Sequence, residues 1–270
     1  MDRRSSDTLD DDAPVGRVLT RREVLAFFGG TAAFLAACVA EPAPSTSPTA
    51  TPTGPGGAAA TPTAPGATAA LPSCVVRPEQ TEGPFFVDAT LDRSDIRSDP
   101  GSGAVPDGVP LALAFAVLRV ATASCAPLAG AVVDVWHCDA AGRYSDVAAS
   151  ATGSTLGQRF LRGHQVTDAS GAARFVTIYP GWYPGRAVHI HFKIRTTESG
   201  QTYDFTSQLY FDDALTDEVH GRQPYAAAGS GRMRNDADGL YRGGGELLTL
   251  ALAPDGDGYA ATFDIGLQIG

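Results

Sequence analysis

The chain has 270 residues and a formal charge of -10, with 31 glycines, 19 prolines and only 19% charged residues. That charge and a pI near 4.8, with Lys193 the single lysine, give no electrostatic footprint for phosphates and speak against nucleic acid as a partner. Abundant Gly and Pro with few charges fit a turn-rich fold behind a low-complexity segment better than a helical bundle, and the length suits one sizeable core.

Residues 20–38 run TRREVLAFFGGTAAFLAAC: an arginine pair, a short apolar run, then small residues leading into Cys38. The run is broken by Gly29 and Gly30 and falls short of the roughly 20 residues that cross a bilayer, so it reads as a secretion signal. Arg21-Arg22 followed by Val24-Leu25 resembles a twin-arginine export signal, which carries folded proteins, and Leu35-Ala36-Ala37-Cys38 resembles a lipobox whose cysteine is acylated. The expectation is an exported lipoprotein on the outer side of the cytoplasmic membrane or cell envelope, touching the membrane only through lipidated Cys38. Residues 39–72 are dominated by Pro, Thr, Ala, Gly and Ser, with one charge at Glu41. They bury too little to offset chain entropy and read as a flexible linker. The division is therefore 1–38 signal, 39–72 linker and 73–270 globular domain.

Beyond Cys74 the apolar residues fall into short runs of period two or of β-branched residues, which predict strands at Leu111–Val120, Ala131–His137, Arg174–Ile178, Val188–Ile194, Thr206–Phe211 and Tyr259–Ile269. Turn signals separate them at 126–130, 168–171, 198–200 and 255–258. No long helical period competes. The fold class is all-β: a two-layer β-sandwich with long loops at its rim carrying the function.

His189 and His191 stand two apart on a predicted strand, so both imidazoles leave one face while Val188, Ile190 and Phe192 leave the other. Buried and unpartnered, two such imidazoles would be costly, which favours a metal pair. Zinc would need a third His, a Cys or a carboxylate, with His137, His164 and His220 as candidates. Tyrosines point elsewhere: Tyr183 sits six residues before His189 in a Pro-Gly-Trp-Tyr-Pro turn, and Tyr144 follows Gly142-Arg143 at a strand end. Phenolate is a hard anionic donor that favours ferric iron, and coordination lowers its pKa.

Val133–Ser145 (VDVWHCDAAGRYS), Thr177–Pro184 (TIYPGWYP), Arg186–Phe192 (RAVHIHF), Thr81–Phe86 (TEGPFF) and Ser207–Phe211 (SQLYF) together resemble the signature segments of the intradiol ring-cleavage dioxygenases, the family containing protocatechuate 3,4-dioxygenase and catechol 1,2-dioxygenase. The resemblance spans roughly Cys74 to Gly270. It implies one non-haem Fe(III) held by Tyr144, Tyr183, His189 and His191 with a hydroxide, Tyr183 and His191 resembling the axial pair. It also implies catechol and O2 as substrates and a cis,cis-muconate-type diacid as product. By the same resemblance Tyr183 is a catalytic base toward the catechol, Arg186 a catalytic and substrate-binding cation beside the ring, and Gln208 a polar group of the same pocket. His137 belongs to the surroundings of the metal or the core, and Trp136 to core packing.

With Cys38 lipidated, Cys74, Cys125 and Cys138 remain, and one bridge plus one free thiol is the simplest arrangement. Cys125 and Cys138 lie at opposite ends of an apparent hairpin, which favours a bridge from Cys74 to one of them. One departure from the family is clear: the segment between Leu71 and Leu111 shows no helical period where catechol dioxygenases carry a helical dimerisation region. The rival readings are a lipid-anchored β-sandwich binding protein without catalysis and a zinc hydrolase using His189 and His191.

Overall fold

Pro110–Ala121 (β1) alternates buried Leu111, Leu113, Phe115 and Val117 with half-buried small residues, the period-two pattern of a strand with one face on a core. In the computed structural model, which describes residues 75–121, 124–148 and 153–269, β1 organises the first sheet. The signal, the linker, Cys38 and Cys74 lie outside the described residues.

Along one edge β1 runs parallel to β9 (Gly258–Gln268), with Phe115 opposite Phe263. Along the other it pairs antiparallel with β5 (Ala172–Ile178) and, further on, with β2 (Ser124–Pro127). β8 (Ala253–Asp255) folds back antiparallel onto β9. The second sheet is antiparallel throughout, in the order β4 (Arg162–Val166), β3 (Val132–Trp136), β6 (His189–Glu198), β7 (Gln201–Tyr210). Between the layers Phe115 meets Phe175, Phe192 and Phe263, and Phe192 also meets Phe263, with ring centroids 5.3 to 6.0 Å apart. Each such buried ring stabilises the sandwich by about 1.5–3 kcal/mol.

All six predicted strands are present, with ends shifted by one to a few residues. The sandwich also contains β2, β4 and β8 and the helices α1 (Asp213–His220) and α2 (Gly239–Arg242), none of them predicted. Asp212 starts α1 by accepting from the N–H groups of Ala214 and Leu215, but eight residues are too few for a periodic signal. Residues 75–109 hold no helix. They attach to the strands through isolated bridges at Val76, Asp92 and Asp95.

The apparent hairpin between the stretches bearing Cys125 and Cys138 needs correction. β2 stays with β1 in the first sheet, and the chain then crosses to β3 in the second. The turn signal at 126–130 overlaps β2, because Ala126 and Pro127 still pair with β1. Cys125 is disulfide-bonded and Cys138 is a buried free thiol, so the two are not joined to each other.

Candidate metal centre

The second sheet presents a row of side chains to the face away from the phenylalanine core. Residues directly opposite one another in an antiparallel pair share a face, and the register sets Arg162 opposite Trp136, Trp136 opposite His191 and His191 opposite Gln208. One step along, His189 stands opposite Tyr210. Both histidines are at most 2% exposed, while Ile190 and Phe192 between and after them pack into the core. The shared face predicted for His189 and His191 is therefore what the strand delivers.

Two loops bring the tyrosines to this face. Asp139 folds the first, its carboxylate accepting from the N–H groups of Ala141 and Arg143 and from Arg143 Nε. Gly142 turns it at φ +79°, a conformation open to glycine. The second loop runs from Tyr179 to Gly185, and the two pack backbone against backbone. A Cβ on Gly142 would collide with the Trp182 carbonyl, and one on Gly181 with the carbonyls of Asp139 and Ala140. The Tyr144 hydroxyl then lies 3.4 Å from His189 Nε2 and the Tyr183 hydroxyl 3.2 Å from it, with His191 Nε2 at 3.0 Å.

His189 Nδ1 donates to the Ala187 carbonyl at 2.6 Å, which leaves Nε2 as its lone-pair nitrogen. His191 Nδ1 is buried without a hydrogen-bond partner. Burial, aided by the Arg186 charge, lowers the His189 pKa to about 3, and burial with the His189 neighbour pushes His191 well down, so both imidazoles are neutral near pH 7. The Tyr144 phenol is pushed well up by burial and by Tyr183. The Tyr144 and Tyr183 hydroxyls and His191 Nε2 thus gather within 3.4 Å of His189 Nε2. Ligands about 2.1 Å from a common ion at near-tetrahedral to right angles lie about 3.0–3.4 Å apart, which matches the spacing around His189 Nε2.

The segment 81–86 roofs the cluster. Phe85 stacks on Tyr144 at 4.3 Å and stands edge-on to Tyr183, while Gly83 lies against His191, where a Cβ would approach Cε1 to 3.2 Å. A cleft of about 530 Å³ opens beside this segment, lined by Gln80, Thr81, Gly83, Asp204 and Thr206 among others. None of the four converging residues lines it. Arg162, 2% exposed, donates to Ser145 Oγ, the Ser145 carbonyl and the Phe85 carbonyl, tying the Tyr144 loop to the roof. Burial lowers its pKa to about 10.

Arg186 is buried rather than a surface turn charge. It pairs with Asp238 at 3.0 Å and donates to Gln208 Oε1 at 2.5 Å. His137 is held by Thr177 Oγ1 and the Cys138 carbonyl, clear of the four donors. Trp136 packs with Tyr144 and Cys138 beside the cluster rather than in the main core, which refines its expected role. Among the described residues no group of three or more His, Cys, Asp or Glu is gathered, which counts against a zinc site built on the two histidines. Arg162, Asp238, Tyr210 and Gln80 were not legible as site residues, since only strand register and loop packing bring them here.

A profile of the family described as "Dioxygenase" matches residues 81–234. The protocatechuate 3,4-dioxygenase beta chain of Burkholderia cepacia is 34% identical over 129 residues, 44% of this chain and 54% of that protein, so the chain spans about half the length of that curated relative. An intradiol ring-cleavage dioxygenase from Tetranychus urticae superposes with a TM-score of 0.62 at 29% identity, covering 72% of this chain and 95% of that one. The dioxygenase domain of a dioxygenase–carbohydrate-binding protein fusion from Streptomyces sp. SirexAA-E superposes with a TM-score of 0.53 at 30% identity, covering 73% and 100%. The chain belongs to the intradiol ring-cleavage dioxygenases.

Proposed function

We propose that this protein uses one ferric ion, held by Tyr144, Tyr183, His189 and His191, to cleave a catechol-type ring between its two hydroxylated carbons with dioxygen. Both oxygen atoms enter the product, so that catechol plus O2 gives a cis,cis-muconate-type diacid. The observation that carries this reading is the gathering of the Tyr144 and Tyr183 hydroxyls and His191 Nε2 around His189 Nε2 at 3.0 to 3.4 Å, the spacing of ligands on a common ion. Two phenolates are hard anions that favour Fe(III) over zinc. Once bound, the ion supplies Lewis acidity toward the catechol oxygens and a redox partner for the ring.

The residues divide the remaining work. Tyr144 is 2% exposed and covered by Phe85, which suits a permanent ligand, whereas Tyr183 is half-buried. Tyr183 is thus the phenolate able to take a proton from an incoming catechol hydroxyl. Arg186 offers a fixed cation to negative charge developing on the ring carbon, and Gln208 acts by orienting Arg186. Export of an already folded protein by a twin-arginine signal would suit a cofactor loaded inside the cell. We propose that the protein is exported, with a signal over 1–38, lipidation at Cys38, a linker over 39–72 and a catalytic domain over 73–270.

Oxygen uptake by the iron-loaded protein with catechol, hydroxyquinol, protocatechuate and a methoxylated catechol tests the reading, alongside Tyr183→Phe. Uptake with at least one substrate, sharply reduced in Tyr183→Phe, is expected. Uptake equal to wild type in that variant contradicts the role of Tyr183, and no uptake with any catechol leaves a binding protein of the same fold.

A further inference from the structure

Asp238 does two things with one carboxylate. Its Oδ1 accepts from the N–H groups of Leu240 and Tyr241 and so caps α2, at 2.8 and 3.3 Å. Its Oδ2 accepts from Arg186 Nε at 3.0 Å and from the Ala187 N–H at 2.8 Å. Asn or Ser would cap a helix nearly as well, so capping does not account for a full charge that is 1% exposed. The guanidinium does. Arg186 is itself 7% exposed, and a buried charge left single is strongly unfavourable.

From this pair the hydrogen bonds close into a ring. Arg186 Nη2 donates to Gln208 Oε1 at 2.5 Å and lies 3.4 Å from the Tyr210 hydroxyl. That hydroxyl donates to Gln80 Oε1 at 2.8 Å, and Gln80 Nε2 donates to the Leu240 carbonyl at 2.8 Å, back on the helix that Asp238 caps. The guanidinium is therefore gripped at two edges, Nε by Asp238 and Nη2 by Gln208, which fixes its plane as well as its position.

We propose that Asp238 is a positioning residue for Arg186, holding the guanidinium through this closed ring at the orientation that meets the substrate ring. Asp238 lies beyond the residues matched by the family profile. The proposal rests on the functional reading above, and its test separates the two.

Asp238→Asn and Asp238→Glu are prepared in the full chain, in wild-type and Arg186→Gln backgrounds. In the diamagnetic gallium(III)-loaded protein, solvent exchange of the Arg186 Nε–H is followed by NMR. Asp238→Asn is expected to speed that exchange by at least about tenfold by removing its acceptor charge. In the iron-loaded protein both variants should keep wild-type iron content and visible spectrum while kcat falls about 10- to 100-fold with a smaller change in KM. In the Arg186→Gln background, Asp238→Asn should cost less than about twofold more. Unchanged Nε–H exchange, a wild-type kcat in both variants, or an equally large loss in the Arg186→Gln background overturns the proposal. If the wild-type protein cleaves none of the catechols, the functional reading fails, and the Nε–H exchange alone decides the positioning.

Discussion

His191 lies flat against Trp136, their ring centroids 5.0 Å apart and their planes 6° from parallel. The two residues are directly opposed in the β3–β6 ladder, so the stack is set by strand register and not by either side chain alone. Since His191 Nδ1 has no hydrogen-bond partner, the indole is what orients that ring. Trp136→Phe should keep folding and most of the iron. Trp136→Ala should lose about 3–5 kcal/mol in denaturant unfolding and bind iron substoichiometrically; full iron occupancy in a folded Trp136→Ala protein would remove the stack from the account.

Gly181→Ala separates the two tyrosine loops. Its Cβ meets the Asp139 and Ala140 carbonyls, backbone atoms that cannot swing aside. The expected cost is about 1–3 kcal/mol, with reduced iron content, because Tyr144 and Tyr183 ride on the loops being pushed apart. Thermal melts and iron analysis check both.

Arg162→Met tests the tie between loop and roof. The change leaves the carbonyls of Ser145 and Phe85 without their buried donor, a loss of about 2–4 kcal/mol. It should also loosen Phe85 over Tyr144. Arg162→Lys, with one point donor in place of a fork, should recover part of the stability by the same chemical denaturation measurement.

The buried imidazoles set the acid limit. In the folded chain His189 titrates at about 3 and His137 at about 4, both lowered first by burial, against about 6.5 when unfolded. Between those values the unfolded chain binds more protons, so stability is full above about pH 6.5 and is lost as pH falls through the window toward 3. Melting temperature should therefore drop steadily from pH 7 to pH 4, and iron should leave over the same range as protons compete for the histidines. A flat melting curve between pH 7 and 4 would contradict the burial of these rings.

Much of the scaffold was legible from the chain. Leu111, Leu113, Phe115 and Val117 announce β1 by simple alternation, and the His189–His191 pair declares its own face. β4 was hidden because Arg162, His164 and Gln165 break its apolar pattern, and Arg162 does so to serve the site. The Tyr144 and Tyr183 pairing rested on donor chemistry and family motifs. The glycine contacts that bring their loops together are 39 positions apart in the chain, Gly142 to Gly181, and no spacing rule links them. Asp238 looked like any turn aspartate until the fold closed α2 over Arg186.

The optical spectrum of the purified protein loaded with ferric iron tests the central claim most directly. Ligation by two tyrosinates predicts a burgundy protein with a charge-transfer band in the visible. The band should weaken and shift in both Tyr144→Phe and Tyr183→Phe and be absent without iron. A colourless protein that takes up stoichiometric zinc in preference to iron would contradict a ferric site built from these four residues.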